Sequence, residues 1–174
     1  MKKPDIPKEE QAELTAVHLV TIDELTGISN RQGFMFLAQH SLNLCARQNI
    51  PITLINLDLD NFKHINDAFG HDEGNRALIS FAAQMKSIFR ESDVFARLEG
   101  YEFAALLTNT SKHRAKDFLA RFSQSLKLYN QAAGQEYDIE FSHGIVEYNP
   151  VKHATLVALL AEGDVLMHAE KGGQ

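Results

Sequence analysis

The run PITLINLDLD, residues 51–60, constrains the fold more than any other stretch. It is β-rich and apolar at nearly every position until Asp58 and Asp60, the pattern of a strand covered on both faces that emerges at a polar end. The segments around it supply helices. NRQGFMFLAQHSLNLCARQ has helical composition and meets stop signals at Asn49 and Pro51, which predicts a helix over about 30–48. In EGNRALISFAAQMKSIFR, residues Leu78, Phe81, Ala82, Met85, Ile88 and Phe89 mark one face of a second helix. DVFARLEGYEFAALL places apolar runs on both sides of Gly100 and reads as two strands joined by a tight turn. KDFLARFSQSLKLY sets Phe118, Leu119, Phe122, Leu126 and Tyr129 on another helical stripe, and YDIEFSHGIVEY alternates as a strand. TLVALLAEGDVLMHAEK closes the chain as a helix interrupted by Gly163. Helices and strands in this order imply an α+β fold, with a central, mostly antiparallel sheet flanked by helices. Residues 1–22 form a lead-in element, in which Leu14, Val17, His18 and Val20 are spaced as on a short helix.

A chain of 174 residues with 44% hydrophobic content suits one domain with a real core. Its 17 Lys and Arg against 23 Asp and Glu give a net charge of -6, which offers duplex DNA little to grip, so a phosphate-bearing ligand must be held locally. Cys45 is the single cysteine, which excludes an intramolecular disulfide and a cysteine metal cage and suits a reducing compartment. No apolar run approaches the roughly 20 residues needed to cross a bilayer. MKKPDIPKEE lacks the apolar stretch of a signal peptide. The expectation is a cytoplasmic protein without membrane insertion.

The polar end of the first strand carries the candidate chemistry. Asp58 and Asp60 at i and i+2 share a face and, with a backbone carbonyl, can offer oxygen ligands to Mg²⁺. The plainer account is that Asp60 caps the next helical turn and Asp58 is solvated. The eight histidines are scattered without zinc-ligand spacing, and His71 and His168 are expected to pack or cap. Met35, Met85 and Met167 fall on apolar helical stripes and belong to the core.

Five segments follow one another along the chain: DELTGISNRQGF at 23–34, LDLDNFKHINDAFGHDEGN at 57–75, RESDVFARLEGYEF at 90–103, FSHGI at 141–145 and GDVLMHAEK at 163–171. In this order they resemble the successive motifs of the GGDEF, or diguanylate cyclase, family. The resemblance implies a GGDEF-like domain over 23–174, with a fold similar to nucleotidyl cyclases and polymerase palms. In that family two GTP-loaded domains meet and form cyclic di-GMP with the help of two Mg²⁺ ions. By the same resemblance, Asp58 and the carbonyl of Leu59 stand at metal-ligand positions, Lys63 and Lys171 at phosphate-contacting positions, and Asn66 at a guanine-reading one. Arg97 stands where relatives pair it with the aspartate of the first motif, here Asp23.

Three positions depart from the family pattern. The signature reads Glu99, Gly100, Tyr101, Glu102, Phe103. Glu99 puts an anion where a glycine should approach a triphosphate, and like charges about 4 Å apart cost on the order of 1–4 kcal/mol. Tyr101 replaces an acidic metal ligand with a phenol whose ordinary pKa is about 10. Asn75 replaces a guanine-reading aspartate and turns a donor toward donors, at roughly 1–3 kcal/mol. The expectation is a degenerate, catalytically impaired GGDEF domain with weak or absent Mg²⁺ binding, acting as a regulatory module. Its ligand is cyclic di-GMP, held at the RxxD pair Arg90 and Asp93 with Arg121 nearby, or GTP in the residual pocket. Alternatives are a working diguanylate cyclase, in which Glu99 or Glu102 replaces the missing acid, and a nucleotide-free protein-interaction domain. Expected partners are a second copy or another signalling domain, and the ending EKGGQ suits an excised fragment or a short form.

Overall fold

The structure, a computed structural model, describes residues 7–173, and among these the side chains of all but His18 and Leu19. Part of the lead-in therefore lies outside the described residues, namely positions 1–6 and the side chain of His18. What is described of it is helix α1, Lys8–Thr21, where Leu14, Val17 and Val20 are all exposed, so their spacing marks no core face.

Helix α2, Arg31–Gln48, starts and stops by local chemistry. The Asn30 side chain accepts from the Gly33 N–H at 3.0 Å, and Asn49 closes the helix in the left-handed region, φ 54°, its N–H donating back to Ala46 and Cys45. Strand β1, Ile52–Leu59, is buried at all eight positions. Two helices follow it, α3, Phe62–Phe69, and α4, His71–Ile88. The hairpin comprises β2, Val94–Glu99, and β3, Glu102–Thr108; then come α5, Lys112–Ala133, β4, Phe141–Glu147, and α6, Leu156–Gly172.

The sheet order is β2-β3-β1-β4, and every pairing is antiparallel. Strand alternation sorts the β1 side chains into two layers. Ile55, Leu57 and Leu59 meet Leu78, Phe81 and Met85 of α4 and Leu119 and Phe122 of α5. Ile52 and Leu54 meet Phe34 and Leu42 of α2 and Leu156, Leu159 and Leu160 of α6. Asn56 and Asp58 continue the second face, so Asp58 comes out under α6.

Three expectations are corrected. The polar stretch after β1 contains a helix of its own, α3, whose single buried residue is Ile65, flanked by the partly buried Phe62 and Phe69. Asp60 caps nothing: the α3 N-cap is Asn61, and Asp60 accepts a 2.6 Å bond from Ser142 Oγ instead. Gly163 does not interrupt α6. A Cβ at Gly163 would lie 2.8 Å from Asn56 Oδ1, and one at Gly144 would strike the Gly163 carbonyl, so these two glycines let α6 lie directly on β1 and β4. Met85 and Met167 are buried as expected, and Met35 is partly buried.

Candidate functional site

The hairpin fixes the first candidate site. Arg97 donates from Nε to the Gly100 carbonyl at 2.6 Å and from Nη1 to Asp23 at 3.2 and 3.3 Å, which ties the turn to the DELTG loop. Gly100 sits at φ 49°, a conformation that favours glycine. Beyond a register shift after Arg97, Glu99 pairs with Glu102, so Gly100 and Tyr101 alone make the loop. Glu102 in turn lies opposite Asp58 on β1, whose other neighbour is Ser142 on β4.

Asp58 is 3% exposed, so it is not a solvated strand end. Its Oδ2 accepts a 2.8 Å bond from Lys171 Nζ, in the last turn of α6, while its Oδ1 is buried without a hydrogen-bond partner among the described residues. Tyr101 packs on Phe62 with ring centroids 5.6 Å apart, and Lys171 Nζ lies 5.9 Å from the Tyr101 centroid, within cation–π range. The Tyr101 carbonyl accepts from Leu59 N–H at 3.1 Å. Glu102 is exposed, yet its carboxyl is held above the usual range, first by desolvation and then by the negative charges of Asp58, Asp164 and Glu99, with Arg31 opposing. Asn56 donates to Asp164 Oδ1 at 2.5 Å and to the Leu160 carbonyl at 3.1 Å.

Leu59, Lys63, Tyr101 and Lys171 line one cleft of about 410 Å³ together with Asp60 and Glu140. Asn66 and Asn75 do not line it. Asn66 lies over Gly74, where a Cβ would overlap its side chain, and its buried Oδ1 has no partner among the described residues; Asn75 is exposed on α4.

A second cleft, of about 490 Å³, opens beside α5 between Arg90, Asp93, Thr110, Arg114, Phe118 and Arg121. The RxxD pair is closed on itself. Asp93, with a side chain 1% exposed, accepts from the Arg90 N–H at 3.0 Å, from Arg90 Nε and Nη2 at 3.3 and 3.1 Å, and from the Thr108 N–H at 3.3 Å. Those four bonds fill a carboxylate's lone pairs. Arg90 Nη2 also donates to the Thr108 carbonyl and to Thr110 Oγ1, at 2.8 and 3.1 Å. Arg114 and Arg121 stand seven residues apart on α5, two turns or about 10 Å along its axis, with Phe118 between them. Their exposed guanidinium groups have no hydrogen bond or ion pair among the described residues.

Sequence reasoning missed Arg114, Arg31 and Asp164. The first left a signal in its seven-residue spacing from Arg121; Arg31 and Asp164 lie within the segments DELTGISNRQGF and GDVLMHAEK, but only the fold brings them to Glu102, from α2 and α6.

Fold and site together define a class: an antiparallel α+β domain in which a buried strand-end aspartate meets a two-residue hairpin beneath the last helix. The chain belongs to the GGDEF family. The family model described as "Diguanylate cyclase, GGDEF domain" matches residues 20–174. Over 154 residues, 88% of this chain and 42% of the relative, it is 30% identical to the probable diguanylate cyclase DgcC of Escherichia coli (strain K12). The cyclic di-GMP phosphodiesterase PdeR of the same organism is 31% identical over 97% of this chain and 25% of its own length. The chain thus spans less than half of either relative. Among solved structures, a microbial GGDEF domain studied in its interaction with cyclic di-GMP superposes with a TM-score of 0.78 at 26% identity, covering 91% of this chain and 94% of that one. No helix among the described residues is long and apolar enough to cross a membrane.

Proposed function

We propose that this chain is a catalytically impaired GGDEF domain that binds cyclic di-GMP in its arginine cleft rather than making it, and so serves as a cytoplasmic signalling module. The carrying observation is the contrast between its two clefts. Beside α5, two guanidinium groups stand unpaired on either side of an aromatic ring, next to the half-exposed Arg90; on the hairpin side, the one buried carboxylate is already held by a lysine. An anion is welcomed in the first, while the second offers Mg²⁺ a phenol and a paired aspartate. Those residues do not fit a two-ion site.

In this reading Arg114 and Arg121 take the phosphates, and the exposed edge of Arg90 faces a guanine, since an arginine fork matches its O6 and N7. Asp93 acts by holding Arg90 in place. Residues 1–22 serve as a lead-in to the domain at 23–174, and the partner is a second copy or another signalling domain. The 26%-identical neighbour studied with cyclic di-GMP supports the ligand class. A second reading, a working cyclase, draws on the row Glu99, Glu102, Asp58, where Glu102 lies across from an aspartate with one unpartnered oxygen.

Two measurements decide. Incubation with GTP and Mg²⁺ or Mn²⁺, followed by chromatography, should yield no cyclic di-GMP above background, and the double variant Glu99→Gly, Tyr101→Asp should yield more; turnover by the unaltered chain overturns the impairment. Calorimetry with cyclic di-GMP should show binding that Arg121→Ala weakens by about tenfold or more, and identical isotherms for both proteins overturn the binding role.

A further inference from the structure

We infer that Lys171 is the resident cation of the hairpin cleft: its ammonium stands on Asp58 in place of a divalent ion, so the domain takes no Mg²⁺ or Mn²⁺ there. This rests on the reading that the cleft is catalytically impaired; Lys171 fits the family pattern, and what differs is Tyr101, whose ring faces the ammonium where the pattern has an acid.

A carboxylate with a side chain only 5% exposed requires a counter-charge. Asp58 has one in Lys171 Nζ at 2.8 Å, and the lysine is itself two-thirds withdrawn from water, its side chain 32% exposed. Two further features hold the ammonium there. The Tyr101 ring presents its π system 5.9 Å away and is braced by Phe62, so the residue that replaces a metal-binding acid is one that attracts a cation without coordinating a metal. Lys171 also sits in the last turn of α6, where the helix dipole favours positive charge. Because the Gly144–Gly163 contact seats α6 directly on β4, the ammonium is delivered by the fold and not by a long reach.

A divalent ion on Asp58 would face this ammonium at close range, with Asp60 already bonded to Ser142 and Glu102 exposed on the neighbouring strand. Mg²⁺ demands near-octahedral oxygen coordination. The charged groups acting on Glu102 are Asp58, Asp164 and Glu99, opposed by Arg31, and Asp60, Glu140 and Lys63 line the cleft beyond; across the sheet Asp58 faces Glu102 on one side and Ser142 on the other. With the ammonium removed, Asp58 and Glu102 face each other with only Arg31 opposing their charge, and Asp58 Oδ1 already has no partner among the described residues. That arrangement calls for a cation from solution.

The test is a titration of Mn²⁺ alone, followed by electron paramagnetic resonance of the free ion, on the full chain. Unaltered protein should leave Mn²⁺ free, Lys171→Arg should behave alike, and Lys171→Met should bind at least tenfold more tightly, with the gain cancelled by a second change, Asp58→Asn. Equal binding by unaltered protein and Lys171→Met overturns the inference. Thermal unfolding of the unaltered chain gives a check that does not need the lysine variants to fold: Mn²⁺ should leave its midpoint in place, and a rise abolished by Asp58→Asn overturns the inference as well. Mn²⁺ binding by unaltered protein that still makes no cyclic di-GMP sinks this inference alone, whereas turnover of GTP sinks the proposed function.

Discussion

Replacing Gly144 by alanine tests the contact on which the position of α6, and with it Lys171, depends. The added Cβ would lie 2.8 Å from the Met167 amide nitrogen and overlap the Gly163 carbonyl. Both obstacles are main chain, within a helix that is itself packed through Leu156, Leu159 and Leu160, so no side-chain rotation relieves them. Overpacking of a tight core costs typically 1–3 kcal/mol, and a clash with backbone on two sides belongs at the upper end, about 3 kcal/mol. For a chain of this size each kcal/mol lowers the unfolding midpoint by about 2–4 °C, which gives a drop of about 6–12 °C. Gly172→Ala is the matched control, because a Cβ there meets nothing within 4 Å. A helical Gly→Ala change in open space should be neutral or gain up to about 1 kcal/mol. Scanning calorimetry or circular dichroism melts of the three proteins decide the matter. Coincident midpoints for Gly144→Ala and Gly172→Ala would refute the seating of α6 on β4 and remove the geometric basis for the Lys171–Asp58 pair. Cyclic di-GMP binding beside α5 should survive below the new midpoint, since that cleft lies on the opposite face of the sheet.

Three more outcomes follow from the site. Arg114→Ala and Arg121→Ala should each weaken cyclic di-GMP binding by tenfold or more in calorimetry, as expected for a lost charge-assisted contact of about 1.5–3 kcal/mol, with little change in stability. Asp93→Ala should instead act on the fold, costing about 2 kcal/mol in urea unfolding, because it strands the Thr108 and Arg90 N–H donors and frees the Arg90 fork. Glu102→Gln should stabilise the protein at neutral pH: the folded carboxyl titrates above its ordinary 4.5, so the native state binds its proton more tightly, and stability is lost as pH rises through the folded value. Urea midpoints of Glu102→Gln and the unaltered chain should therefore converge as pH falls below 4.5, and a gap that persists there excludes Glu102 as the source.

The fold was legible wherever one face of an element is apolar. β1 shows in sequence because all eight of its positions are buried, and α4 and α5 show because their buried residues recur at helical spacing. α3 escaped since Ile65 alone is fully buried, although Phe62, Ile65 and Phe69 step by three and four along it. Gly163 misled for a related reason. Local propensity registers a glycine's cost to a helix, whereas its benefit here lies in the close approach of β1 and β4, more than a hundred residues and about twenty residues earlier in the chain.

The site divides along the same line between local and distant causes. Residue identity at Glu99 and Tyr101 is enough to argue that a charged ligand has left the turn, because charge belongs to the side chain itself. What the side chains do with one another is a property of the packing. Lys171 reads as a phosphate contact when only its motif is seen, yet 113 residues separate it from the Asp58 that holds it. Arg90 and Asp93 read as an open ligand pair, yet Thr108 and Thr110 from the far end of β3 and the turn beyond it bind the same groups and turn the pair inward. In both clefts the motif's buried carboxylate is satisfied by the protein, while Lys63 in the hairpin cleft and Arg114 and Arg121 beside α5 have no ion pair among the described residues. The charges such a domain offers to a ligand are therefore found by following each buried carboxylate to its partner and counting the cations that remain.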